Sequence, residues 1–306
     1  MINPSEELIE AAYVHTMSEL GLESIKPSLN IEFASIQKAH NAIHECLYLP
    51  ALLSPSPSND QPTWNWQSKS AFLLYQWELF HCAHRSLIAA LCAYYNSAFA
   101  MLRVVLEILI SGSFWECISH KQFRDKTPIL DGTGSDVKDW LHIIFRETPH
   151  IEDELETISA TIYDQIGSKI QDHKFRPSVR TMLRQLDDWD MFASIPNPEE
   201  SIYKGIYGQL SSAVHVSPDN VDIGRRLFAG FEIFEQLIIP EALHQYIALL
   251  HQLMDISILV ELNVMRSVLE RYQEARNNLN RRLSTLESLE LQHSLTRAKE
   301  LLELTG

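Results

Sequence analysis

Glycine is scarce in this chain, with 10 residues in 306. Tight turns that need a positive φ draw on glycine, so a long β-rich architecture is disfavoured. No apolar–polar alternation persists along the sequence, and no internal repeat is visible. Cysteine is equally sparse. Cys46, Cys82, Cys92 and Cys117 form no CxxC pair, which excludes a zinc knuckle and a dense disulfide scaffold. Each lies in an apolar stretch and reads as a small buried thiol in a reducing compartment. Positive charge is short: 25 Lys and Arg face 40 Asp and Glu, a formal net charge of −15. Such a chain repels phosphate backbones on average, which argues against a general nucleic-acid binder. The one arginine-rich stretch holds Arg266, Arg271, Arg276, Arg281 and Arg282. Glu270 and Glu274 dilute it, so it reads as a solvated helix face. The start, MINPSEELIEAAYVH, lacks the basic and apolar segments of a signal peptide. The uncharged stretch Ser86–Leu102 is broken by Asn96 and two tyrosines, which makes it part of a buried core helix pair rather than a membrane span. The expectation is a cytoplasmic protein without membrane association.

What is present is helical periodicity. Pro4 and the acids after it open a first helix that Gly21 ends, and Asn30 caps a second that runs towards Pro50. Residues 54–62 read SPSPSNDQP, a linker or long loop. Further helices are expected from Ser68 to about Tyr95, and from Ser97 to about His120 with Asn96 as cap. Others follow near 136–145, 151–168, 178–190 and 199–214, the last two separated by Ile195-Pro-Asn-Pro198. From about Arg225 to Leu304 the pattern is nearly continuous, with Pro240 a break or an N1 residue. The fold class expected is all-α, a bundle of about eight to ten helices. Residues 1–53 are its N-terminal helices, 54–67 a linker, 68–264 the main bundle and 265–306 an amphipathic helical extension.

That extension places Met265, Val268, Tyr272, Ala275, Leu279, Leu286 and Leu289 at three- and four-residue steps. Arg282 occupies an apolar slot. The pattern resembles a short, imperfect coiled-coil seam and predicts a homo-oligomer or a protein partner bound through the C-terminal helix.

Few residue groups suggest chemistry. Glu78–His81 and Glu241–His244 are Glu-x-x-His steps, which with Glu45 and Glu107 mimic the ligand set of a di-metal carboxylate bundle. Glu and His are abundant enough for such steps to arise by chance, and the gap between Glu107 and Glu241 breaks the compact four-helix spacing. The His40–His44 and His81–His84 pairs add little. The expectation is no metal and no cofactor. Ser211 and His215 lie one turn apart but sit on no strand-to-helix elbow. The Gly-poor loop Asp131–Ser135 follows no strand and cradles no phosphate. Arg103 and Glu107 stand four apart in the apolar MLRVVLEILI, where a charge must find a partner. An i,i+4 ion pair is the simplest account. The alternative is a polar pocket completed by Tyr207, Ser211 and His215, which share one helical face. Arg103, Glu107, Tyr207, Ser211 and His215 are thus the candidate cluster, and no catalytic residue is assigned.

AMLRVVLEILISGSFW, with YGQLSSAVHVSP about 100 residues later, resembles an uncharacterised family of bacterial and archaeal helical proteins, a domain of unknown function. That family pairs an Arg-x-x-x-Glu helix with a later Tyr-x-x-Leu-Ser-x-x-x-His helix. More distantly the chain resembles HEPN bundles, many of them RNases of toxin–antitoxin and phage-defence systems. The resemblance spans roughly residues 70–260. It implies a helical bundle in which Arg103 holds a phosphate and His215 moves the proton of a ribose hydroxyl. One departure counts against cleavage. HEPN RNases carry an Arg, then four to six intervening residues, then His; here Arg146 and His150, with three residues between them, come nearest and are one residue short. The expectation is an interaction or regulatory protein, with an RNA-cleaving or nucleotide-binding enzyme as the alternative and a di-metal protein as the second.

Overall fold

The computed structural model describes residues 26–27, 29–53, 71–119, 177–214 and 238–305. The expected first helix, the helices near 136–145 and 151–168, the 131–135 loop and the 54–67 linker lie outside these residues. Among the described residues every regular element is helical. A 3₁₀ turn, Asn30–Glu32, leads into α1 (Phe33–Leu53). Then come α2 (Ala71–Leu91), α3 (Tyr95–Ser119) and α4 (Val179–Asp188). A π-helix, Glu199–Tyr207, continues directly into α5 (Gly208–Val214). The chain closes with α6 (Pro240–Val264), α7 (Arg266–Arg271), α8 (Gln273–Ser288) and α9 (Gln292–Thr305). The fold is an all-α bundle.

The two most apolar helices form its centre. Every residue from Leu109 to Cys117 of α3, and from Leu253 to Met265 on α6, is buried. A helix apolar on all sides has to be enclosed, and both are long and apolar enough by composition to cross a membrane. Here other helices of the chain enclose them. α2 and α3 form a tight hairpin, α1 packs on α6 and α2, and α4 and α5 pack on α3. Gly112 permits the hairpin's close approach, since a Cβ there would lie 2.5 Å from Tyr75 Cβ.

Several helix ends are satisfied from a distance. Pro50 sits inside the last turn of α1 and cannot donate to the Cys46 carbonyl four residues back. Gln76 of α2 donates to that carbonyl instead, at 2.8 Å, so α1 continues to Leu53 rather than ending at Pro50. Glu116 on α3 accepts the Phe72 N–H at the start of α2. Asp255 on α6 accepts from His293 N–H and Ser294 N–H and so caps α9. Local caps differ from expectation at two places. Asn30 accepts the Phe33 N–H through its backbone carbonyl, closing a 3₁₀ turn. Asn96 lies inside the first turn of α3, because the hairpin reverses earlier. Ala93 takes φ 62° and Tyr94 N–H reaches Ala89 O at 2.8 Å. Ser178 caps α4 through its side chain, and Pro240 is the N1 residue of α6.

The C-terminal residues do not form an extension. Breaks at Met265, Tyr272 and Leu289–Leu291 divide them into α7, α8 and α9, which fold back on the bundle. α8 lies against α1, and α9 against α6 and α8. Met265, Val268, Ala275, Leu279, Leu286 and Leu289 are buried within the chain. The seam expected to receive a second copy is therefore covered. Arg282, the polar residue in that seam, donates through Nε to Glu45 Oε1 at 2.9 Å and through Nη2 to Oε2, a two-pronged pair with α1.

Candidate functional site

Arg103 and Glu107 occupy successive turns of α3, and Arg103 Nε donates to Glu107 Oε1 at 3.0 Å. Tyr207, at the end of the π-helix, closes the triangle. Arg103 Nη2 donates to its hydroxyl at 2.8 Å, and that hydroxyl donates to Glu107 Oε1 at 3.1 Å. The guanidinium also lies over the Tyr207 ring, 4.9 Å from its centre. The ion pair expected from spacing and the cross-helix partner are thus one network. It is less enclosed than an apolar helix suggests: the Arg103 and Glu107 side chains are 29% and 26% exposed. Burial and the neighbouring Glu107 charge push the Tyr207 hydroxyl above its ordinary range, so it is a hydrogen-bond donor at neutral pH.

The network extends along the π-helix. Tyr203 stacks on Tyr207 with centroids 5.2 Å apart and an 11° tilt, and Arg180 of α4 lies 5.5 Å over the Tyr203 ring. Glu199 takes hydrogen bonds from Arg184 and Arg180, which hold its carboxyl down at about 2. The order in space is Glu107, Arg103, Tyr207, Tyr203, Arg180, Glu199, Arg184. The two tyrosines are four residues apart on one face of the π-helix, and such segments recur at functional sites. Gly205 fits its tight backbone, since a Cβ there would lie 3.2 Å from Glu200 O. Tyr203, Arg180 and Glu199 were not anticipated: Tyr203 continues the four-residue spacing of Tyr207 and Ser211, whereas Arg180 joins only through the packing of α4 beside the π-helix.

Ser211, one turn beyond Tyr207 on α5, has a buried Oγ with no hydrogen-bond partner. His215 lies outside the described residues, as do Arg146 and His150. The Ser211–His215 and Arg103–His215 pairings are expectations only.

The residues of the proposed di-metal set stand in separate contacts. Glu45 faces Arg282, Glu107 faces Arg103, His81 packs edge-on to Trp77, and His244 faces Glu32. Among the described residues, the group of three His, Cys, Asp or Glu with converging ligand atoms is His40, His44 and His84. The arginine-rich stretch is likewise occupied. Arg266 pairs with Glu270, Arg276 donates to the carbonyls of Leu269 and Glu270, and Arg282 pairs with Glu45.

A second polar group is sealed in the core. Glu261 of α6 is fully buried, and its Oε1 accepts from the Cys46 thiol and from Gln76 Nε2, while Oε2 has no partner. Burial pushes both the Glu261 carboxyl and the Cys46 thiol well above their usual ranges, so both hold their protons. Cys46 is therefore inert, as expected of a buried thiol. No family model, curated protein or solved structure matches the chain.

Proposed function

We propose that this chain works by binding another protein chain, as a helical interaction or regulatory protein. The observation that supports this is a patch on α1 and α2. Tyr48 and Leu52 are 54% and 42% exposed, and Leu74 and Trp77 are 46% and 56% exposed. Tyr48 and Trp77 are joined by rings in contact: His44 on Tyr48, Phe80 against His44, and Trp77 on Phe80. Single exposed apolar residues need no explanation, but a contiguous aromatic patch marks an interaction surface. The first partner to test is a second copy. Light scattering at tens of micromolar, roughly the range of weak helical pairing, is expected to show a dimer that Trp77→Glu with Tyr48→Glu converts to a folded monomer. A wild-type monomer up to about 100 µM removes self-association from the proposal. A dimer unaffected by the double substitution removes the patch. The distant HEPN resemblance suggests a toxin–antitoxin or phage-defence setting for such a partner.

A second reading is favoured by the ladder of Arg103, Tyr207, Tyr203 and Arg180. Interleaved guanidinium and aromatic groups suit a single-stranded RNA or a nucleotide. Charge weighs against it, because Glu107 and Glu199 neutralise the arginines that would meet phosphate. The binding reading expects no metal-independent cleavage of single-stranded RNA. Cleavage lost in both His215→Ala and Arg103→Ala would reverse the order of the two.

A further inference from the structure

His40 and His44 stand one turn apart on α1, and α2 brings His84 to them. One ring nitrogen of each lies within 4.8 Å of the others. His40 Nε2 and His44 Nε2 are 3.3 Å apart. An ion bound tetrahedrally at zinc–imidazole distances holds its ligand nitrogens about 3.3 Å from one another, so the α1 pair already has the required bite. Closing His84 onto the same point asks for side-chain rotation that moves its ring nitrogen by up to roughly 1.5 Å.

The surroundings suit ligation. His40 Nδ1 faces Asn41 Oδ1 at 3.4 Å, an acceptor that leaves Nε2 with its lone pair directed away. His84 Nε2 is buried and makes no hydrogen bond among the described residues, so it can accept a metal bond. Phe80 packs on both His84 and His44, and Tyr48 covers the far side of His44. Burial, reinforced by the other histidines, holds His44 and His84 below the usual imidazole range. No carboxylate belongs to the group. An all-imidazole set selects zinc, copper, nickel or cobalt and discriminates against magnesium and calcium.

We propose that His40, His44 and His84 form a binding site for one divalent transition-metal ion of the zinc class, with a fourth position left for water or another donor. The proposal stands on the convergence of three imidazoles and does not depend on the protein-binding reading.

The test uses the full chain, stripped with EDTA and titrated with Zn²⁺ by calorimetry and with Co²⁺ by visible absorption. The expected result is one equivalent of Zn²⁺ bound at about micromolar Kd or tighter. The Co²⁺ bands should be of tetrahedral intensity, and Zn²⁺ but not Mg²⁺ should raise Tm reversibly. His40 is exposed, so His40→Ala should fold normally, and it is expected to weaken Zn²⁺ binding by about tenfold or more. His40→Gln, His44→Gln and His84→Gln together should abolish it. If that triple variant fails to fold by circular dichroism, His40→Ala and the wild-type thermal shift still decide. Absence of stoichiometric Zn²⁺ binding, or an affinity unchanged in His40→Ala, overturns the proposal.

Discussion

Glu261 keeps its proton where a carboxyl group ordinarily loses it. Burial drives this and the nearby Glu45 adds to it, while the hydrogen bonds from Cys46 and Gln76 oppose it. The effect on stability has a definite sign. Below about pH 4.3, the usual Glu value, folded and unfolded chains are both protonated at this position. Above it the unfolded chain loses the proton and the folded one retains it, so stability falls as pH rises towards the raised folded value. Glu261→Gln keeps an oxygen to accept from Cys46 and Gln76 and cannot ionise. Urea unfolding between pH 5 and 8 should therefore show the variant gaining on wild type with pH, by up to about 1.4 kcal/mol per unit. Parallel pH profiles would mean that Glu261 is ionised in the folded chain.

The α2–α3 hairpin depends on one position without a side chain. At Gly112 an added Cβ meets Tyr75 Cβ, an atom fixed to the backbone of the facing helix, so no rotamer change relieves the contact. The helices have to separate, and the neighbouring core with them. Gly112→Ala should cost about 1–3 kcal/mol despite the gain in helix propensity. A fall in Tm of several degrees by scanning calorimetry checks this, and an unchanged or higher Tm would show that the helices part without strain. α1 has a comparable dependence on Gln76, which satisfies both the carbonyl freed by Pro50 and the Glu261 carboxyl.

Across the whole molecule, the C-terminal helices complete the core. Glu45 is 2% exposed and its charge is matched by Arg282, itself 31% exposed. Arg282→Leu leaves the buried carboxylate unpaired and should cost about 3 kcal/mol, whereas Glu45→Leu with Arg282→Leu should cost clearly less. Equal losses in urea unfolding would mean that the pair acts only through packing. Removing residues 266–306 uncovers the buried faces of α1 and α6, so the shortened chain should aggregate rather than yield a folded monomer. A soluble, cooperatively unfolding truncation would restore the extension that the seam pattern suggested.

Local chemistry was enough to establish the helical class, a helix beginning near Ser178, Pro240 as a break or an N1 residue, and the Arg103–Glu107 pair. Each follows from side chains within a turn of one another, where backbone geometry fixes the distance. The same local rules misplaced the cap at Asn96 and the end at Pro50, because hairpin closure at Ala93 and a hydrogen bond from Gln76 lie outside their reach. The seam from Met265 to Leu289 was legible as amphipathic. Periodicity says that an apolar stripe must be covered but not by what, and α1 and α9 cover most of it. Tyr207 was placed beside Arg103 by its helical face, a face Tyr203 shares, whereas Arg180 joins only through the packing of α4. His40 and His44 are neighbours in sequence, but His84 lies forty residues on. Only the packing of α1 on α2 decides that the three imidazoles meet, since which helix faces which is set by the burial of the whole core.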